Sequence, residues 1–475
     1  MAEFDERILK INTSFKLIKP SVVPPLDEDF RPAVLANHAF LDEIADLNVG
    51  VPLLLGLERS DGYLSHFATR VYPEGHTRAD ANLQYIERIV KFLLWQKGGW
   101  KIYVGGPRSI GKYIGECYAA QGIRQFDQQF MERDVYERPF TVVPCDPGEV
   151  PPELESGEPL GRHLDGCRIG FDLGASDHKV TAVINGEVVF SEEIIWDPKD
   201  KVDPDYHYGE LMEALKAAAA RMPRLDAIGG SAAGIYIDNR VRIASLFRGI
   251  PAERYDEVRN LFIRIQEEMG VPLKIVNDGD VTALAGSMSL EDNGVLGIAM
   301  GSGQAGGYVN LDGNITCWLN ELGLAPLDYN PHAPADEWSG DRGVGSLYFS
   351  QQCVFRLAPK VGINIPGDRS KAVQLQYVQE MLEAGHEGAV KIWQTIGCYL
   401  GYGIAHYADF YELKHVIILG RCTSGVGGKY IIDGVQEVLR EDFPELAGRV
   451  NIQLPDEKSR RIGQAIAAAS LPIIN

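Results

Sequence analysis

One supersecondary unit occurs twice in this chain, and that duplication constrains its fold most. RIGFDLGASDHKVTAVINGEVVF (168–190) and LGIAMGSGQAGGYVNLDGNITC (296–317) share one order. Each reads as strand, glycine-rich turn, strand, Xaa-Gly turn, strand. The first glycine of each turn lies eleven positions before the Asn185 or Asp312 that opens the next turn. Asn-Gly and Asp-Gly are strong hairpin signals because both positions tolerate a left-handed backbone. Between and after the two units, the 3.6-residue period predicts helices over 207–222, 252–268, 378–410, 425–440 and 459–470. Strands are expected near 273–276, 415–419 and 450–453. The alternation implies a duplicated α/β architecture with a cleft between halves.

At 475 residues the chain exceeds one ordinary core. Residues 144–161, PCDPGEVPPELESGEPLG, are rich in proline and acid and aperiodic, which marks a linker or strapped loop. We therefore expect an N-terminal α/β region at 1–143 and a linker at 144–165. The main unit at 166–475 would have two lobes, roughly 166–290 and 291–475. Within the first region a hairpin is expected at Asp61-Gly62, followed by a helix in ANLQYIERIVKFLLW, a strand WKIYV and a helix from about Ser109. The formal charge of −20 disfavours a nucleic-acid partner. There is no apolar run of membrane-spanning length and no basic-then-apolar leader. The seven cysteines are dispersed without a CxxC, as expected for reduced thiols in the cytoplasm.

Four segments carry candidate chemistry. GASD (174–177) and GSGQAGG (301–307) are turns whose backbone N–H groups suit a polyphosphate, although each alone also reads as a tight hairpin. Asp172 ends the strand beside the first turn and suits Mg²⁺ held through water. In KIVNDGDVTALAGS (274–287), Asn277-Asp278 ends a strand before a helix. It reads either as a helix cap or as a substrate-orienting amide beside a general base. HVIILGRCTSGVGGKY (415–430) is a strand, glycine turn and helix. A fifth pattern, Gly106-x4-Gly111-Lys112, approaches a P-loop. Tyr113 stands where a Ser or Thr would bind Mg²⁺, so a plain helix N-terminus able to hold an anion is the better reading.

In this order the four segments resemble the ROK family of sugar kinases and repressors, within the actin-like ATPase (ribonuclease H-like) fold. The resemblance covers about 166–475, including the closing helix RRIGQAIAAASLP. It implies a phosphotransferase that moves the γ-phosphoryl group of Mg²⁺-ATP to a sugar hydroxyl, hexose or related. Asp278 would be the catalytic base, with Asn277, Glu321 and Ser346 at sugar-binding positions. Asp172, Gly174, Ala175, Ser176, Gly301, Ser302, Gly303, Gly420 and Arg421 would lie on the nucleotide, with Asp172 holding Mg²⁺ through water.

The family's Gly-Glu-x-Gly-His segment corresponds to NELGL (320–324). Its zinc loop, Cys-x-Cys-Gly-Asn-Arg-Gly-Cys-x-Glu, corresponds to EWSGDRGVGS (337–346). The frame Gly340-Asp341-Arg342-Gly343 persists, but Glu337, Ser339, Val344 and Leu324 stand at the zinc-ligand positions, so no zinc is expected. His332 is expected to be a lone surface histidine. Ser346 replaces a sugar-binding Glu, and Arg421-Cys422 stand where the family has glycines against the adenosine. A catalytically reduced sugar-binding or regulatory protein, or a kinase with another donor, is the alternative. The N-terminal region lacks a helix-turn-helix pattern and is expected either to pack over the sugar cleft or to form an oligomer contact. A homodimer is left open.

Overall fold

The computed structural model describes residues 15–155, 160–455 and 457–474. Three mixed sheets form its frame. The first has the order β2-β1-β3-β4, from β1 (Val51–Glu58), β2 (Leu64–Val71), β3 (Lys101–Gly105) and β4 (Thr141–Cys145). The expected hairpin joins β1 and β2, with Gly62 at φ +77° in its turn. Helix α1 (Ala33–Leu47) precedes this sheet. Helix α2 (Asp80–Gln96) crosses it, and α3 (Arg108–Cys117) follows β3.

The two repeats build the other sheets. In the first lobe the order is β11-β8-β5-β6-β7, from β5 (Cys167–Leu173), β6 (Asp177–Ile184), β7 (Glu187–Ile195), β8 (Ala227–Ala232) and β11 (Leu273–Asn277), while β9 (Ile235–Ile237) and β10 (Arg240–Ile243) form a separate two-stranded ribbon. In the second it is β13-β12-β14-β15, from β12 (Val295–Met300), β13 (Gln304–Val309), β14 (His415–Leu419) and β15 (Asn451–Gln453). Each repeat begins with an antiparallel pair and then adds two parallel strands on the same side. The duplication therefore holds at the level of topology. One expected strand is missing: after the turn at Gly313 (φ +86°), Ile315 makes only an isolated bridge to Val309. Residues 315–319 turn away instead, and Trp318 stacks on Tyr308 at 5.8 Å.

The expected helix 378–410 is two helices, α4 (Lys371–Glu383) and α5 (Glu387–Tyr407), broken where Gly385 adopts φ +76°. Helix α6 (Asp278–Leu290) and the closing helix α7 (Glu457–Ala469) bridge the lobes. Both lie so close to the sheets that side chains are excluded. A Cβ on Gly229 would stand 1.7 Å from the Ala468 carbonyl, and one on Gly307 would stand 2.0 Å from that of Gly279.

The first lobe has its own core, whereas the N-terminal sheet and the second lobe share one. Phe30, fully buried, packs edge-on against Tyr399 at 4.8 Å, and Phe92 stacks on Phe410 at 3.9 Å. Burying one such ring contributes about 1.5–3 kcal/mol, so this seam is a principal attachment. The proline-rich stretch is a strap. β4 runs on through Pro144 to Cys145, and an Asp146–Glu149 capping box follows. Leu154 then bridges to Leu64, and Glu155 accepts from Ser65 Oγ at 2.6 Å and Trp318 Nε1 at 3.1 Å. Among the described residues no helix is long and apolar enough to cross a membrane.

Candidate active site

The carboxyl ends of parallel strands collect functional groups in α/β sheets, because the chain turns there into loops and helix N-termini. Here β5, β8 and β11 run side by side in register, pairing Asp172 with Ser231 and Asn277 with Ala232. Ser231 Oγ donates to Asp172 Oδ1 at 2.7 Å. Asn277 ends β11 and caps α6. Its Oδ1 accepts from the Gly279 N–H at 2.7 Å, and its Nδ2 donates to the Gly234 carbonyl at 2.8 Å. The cap reading of Asn277 is thus realised, and the same bonds tie the helix to the loop after β8.

Asp278, the first residue of α6, is half-buried beside Asp172. Burial raises its pKa to about 6, and the Asp172 charge adds to the shift. Glu321, also half-buried, is raised to about 7 by burial and then by the Asp278 charge. Asp278 thus lies within electrostatic reach of both Asp172 and Glu321.

Glu321 is positioned from outside the duplicated unit. Its N–H donates to the Trp95 carbonyl at 2.9 Å, and that of Asn320 to Gln96 at 2.8 Å, both at the end of α2. Asn320, in a left-handed conformation (φ 51°), donates to Asp280 Oδ1 at 3.0 Å and accepts from Tyr411 OH at 2.9 Å. Asp280, buried, has its pKa raised to about 8 by burial. Sequence reasoning missed Gly234, Asp280 and Asn320. The pattern NDGD signalled Asp280, but nothing local signalled that α2 carries Glu321.

The two glycine turns differ. At Gly301–Gly303 the space is open: a Cβ on Gly301 would meet nothing nearer than the Gly303 carbonyl at 3.9 Å, and Ser302 is exposed. Both turns close on themselves, the Gly301 N–H donating to the Gly303 carbonyl at 3.0 Å, but the first is the tighter: a Cβ on Gly174 would stand 2.7 Å from the Asp177 carbonyl. The Gly174 N–H donates to the Asp177 carbonyl at 2.9 Å, and Trp196 Nε1 donates to the Gly174 carbonyl at 2.9 Å. Ala175 and Ser176 are exposed, and Ser176 Oγ bonds Asp177 at 3.1 Å. Gly420, at φ +105°, brings the end of β14 against β12, where a Cβ would stand 2.6 Å from the Met300 carbonyl. Arg421 is exposed beside this junction. Cys422, expected with it against the adenosine, is fully buried, and its carbonyl accepts from Trp393 Nε1 at 2.8 Å.

The loop at 337–346 is held by an ion cluster. Asp341 lies 2.9 Å from Arg124 Nη1, 3.2 Å from Lys91 Nζ and 3.7 Å from Arg88 Nη1. Asp127 takes Lys91 Nζ at 2.8 Å and Trp95 Nε1 at 2.9 Å, and Glu87 pairs with Arg88 and Arg124. Burial pushes the Asp341 carboxyl up, but Lys91 and Arg88 more than offset it and hold its pKa below the ordinary value. Val344 and Leu324, at ligand positions of the resembled zinc loop, are buried apolar contacts. Ser346 Oγ accepts the Gln304 N–H at 3.4 Å and touches the Glu321 turn, 2.4 Å from a Cβ built on Gly323. His332 is exposed.

At the near-P-loop the helix N-terminus already has an acidic partner. Glu74 Oε1 accepts the Ser109 N–H at 2.8 Å, so a carboxylate already holds the α3 N-terminus that was expected to take an anion. Gly111 packs on Pro144, and Lys112 is exposed beside Glu116.

No family model matches the sequence, and no curated protein does. Among solved structures, a ROK hexokinase from Thermus thermophilus aligns at a TM-score of 0.50 with 18% identity, covering 64% of this chain and 97% of that one. A ROK family transcriptional regulator, a homologue of the E. coli MLC protein, aligns at 0.50 with 18% identity, covering 65% and 79%. The chain thus has the fold of ROK proteins, the duplicated actin-like ATPase architecture.

Proposed function

We propose that this protein is a ROK-type sugar kinase that transfers the γ-phosphoryl group of ATP to a sugar hydroxyl. The supporting observation is Asp278: a half-buried carboxylate with a pKa of about 6, at a strand end, within electrostatic reach of Asp172 and Glu321. A base whose pKa lies near neutrality accepts a hydroxyl proton efficiently and is still largely ionised at pH 7. In the proposed reaction the sugar hydroxyl gives its proton to Asp278, and its oxygen forms the new bond to the γ-phosphorus. The bond from phosphorus to the bridging oxygen breaks, and ADP leaves. Such a transfer asks the protein chiefly for positioning and charge neutralisation.

Glu321 accepts another acceptor hydroxyl, and Asn277 fixes the loop around the acceptor. The open Gly301–Gly303 turn admits the donor phosphates, with Gly174–Ser176 opposite and Gly420-Arg421 at the nucleotide edge. Asp172 and the nearby Asp278 charge suit a hard dication with few protein ligands. Mg²⁺ bound there would neutralise charge on the transferring phosphates. Residues at the ligand positions of the ROK zinc loop offer no thiolate or imidazole, so no structural zinc is proposed.

Phosphate transfer should be measured over a sugar panel with ATP and with polyphosphate. Asp278→Asn should lower kcat by on the order of 10²-fold or more while sugar binding persists. Unchanged turnover in the folded variant refutes the assignment. A sugar-binding or regulatory protein without turnover is the second reading. Ser346 favours it, because its hydroxyl is engaged by the Gln304 N–H at a position where the resembled family carries a sugar-binding Glu.

A further inference from the structure

We infer that the acceptor carries a second, uncharged sugar ring, seated in a cleft that the N-terminal region builds beside Asn277. This rests on the sugar-kinase reading and extends it to the class of acceptor. The cleft has a volume of about 110 Å³ and is lined by Arg59, Tyr63, Tyr136, Thr316, Trp318 and Asn277, among others. One water needs about 10–15 Å³ on a comparable measure, so the space suits a group of roughly ten heavy atoms, the size of a pyranose ring.

Its chemistry also fits a ring bearing hydroxyls. Ligand sites are mostly aromatic and apolar, with a few polar atoms that fix orientation. Here two such atoms are without hydrogen-bond partners among the described residues: Arg59 Nε and Thr316 Oγ1. Arg59 is 2% exposed, and its other nitrogens are spent on the Cys317 carbonyl (3.0 Å) and on Glu155. An unpaired buried N–H costs about 1–3 kcal/mol, which a ligand hydroxyl would recover. The cleft does not call for a charged ligand. Of the lining charges, Arg59 is neutralised by Glu155, Lys274 and Asp238 cancel, and burial raises the pKa of Asp280 to about 8, so that it is largely uncharged at pH 7.

Part of this lining belongs to the extra region. Arg59, Tyr63 and Tyr136 all precede the duplicated unit, and Glu155 of the strap fixes both Arg59 and Trp318 Nε1. Asn277 lines this cleft and directly precedes Asp278, so the cleft and the candidate base share one strand end.

Calorimetric titration of the full chain with glucose against maltose and cellobiose, and with mannose against mannobiose, tests this without requiring turnover. At least one disaccharide should bind about tenfold more tightly than its monosaccharide. Thr316→Val and Tyr63→Ala, both milder than a change at buried Arg59, should each weaken that disaccharide about three- to tenfold, the range for one lost hydrogen bond or stacking contact. Monosaccharide affinity should stay within about twofold in both variants. Monosaccharides binding as tightly as disaccharides throughout, or variants that weaken both equally, would overturn the inference. Disaccharide preference without phosphate transfer refutes only the kinase reading, and transfer without that preference refutes only the second ring. Binding of no sugar refutes both.

Discussion

Asp341→Asn is the sharpest test of how the loop at 337–346 is held. The cluster contains three cations, Arg88, Lys91 and Arg124, and three carboxylates, Glu87, Asp127 and Asp341, and so sums to zero. Asn at 341 keeps the shape and removes one negative charge. The residual positive charge falls where Lys91 is fully buried and Arg124 nearly so, which prevents water from compensating. Removing one partner of a buried ion pair costs about 3–5 kcal/mol. The chain has more than one core, so a single global transition is not the right observable. Local opening is. The amides of Asp336, Gly340 and Gly343 bond within this loop at 2.8, 2.9 and 3.0 Å. Their hydrogen exchange should accelerate by roughly two to three and a half orders of magnitude in Asp341→Asn. Adding Lys91→Met restores a net charge of zero and should recover much of the protection. Exchange within about threefold of wild type in Asp341→Asn would show that packing, not the ion cluster, holds the loop.

Gly301→Val should abolish ATP binding in calorimetry while leaving thermal stability nearly unchanged, because its Cβ enters open space. Gly420→Ala should destabilise the fold, since its Cβ meets Met300 backbone at φ +105°; equal stability losses in the two would refute the contrast. If Asp278 is the base, kcat/KM should rise with pH through about 6 and level off above it, the ionised form being the active one. A profile falling over that range excludes the role. Asp280, raised to about 8 from an ordinary value near 4, binds its proton more tightly folded than unfolded. Its stabilising contribution is therefore full below about pH 4 and lost as pH rises through 8. Asp280→Asn should flatten the decline in stability between pH 6 and 8 seen by denaturation, and an unaltered slope counts against the shift.

What the sequence made legible is what depends on near neighbours. Asn185-Gly186 and Asp312-Gly313 could be read as turns because such residues tolerate a left-handed backbone, which Asn185, Gly186 and Gly313 adopt, and both turns form. Asp172, Asn277 and Asp278 could be placed at strand ends because strand pattern and helix cap adjoin them. The missing third strand of the second repeat was not legible, since residues 315–319 have a strand's composition and are diverted by contacts with Lys97 and Glu155. Helix α2 misleads more deeply. Glu87, Arg88 and Lys91 look like a solvated face, yet all three are buried, and Asp341, the partner of Arg88 and Lys91, lies some 250 positions away. With 46 basic and 66 acidic residues, no local rule selects that pairing. Its consequence reaches the site. Metal–thiolate bonds would tie such a loop to itself, whereas Asp341 ties it to α2, whose last carbonyls hold Asn320 and Glu321. One helix therefore sets both the loop that carries Ser346 and the turn that carries Glu321. The N-terminal region is in this way part of the candidate site's frame, although nothing in its sequence marks it as such.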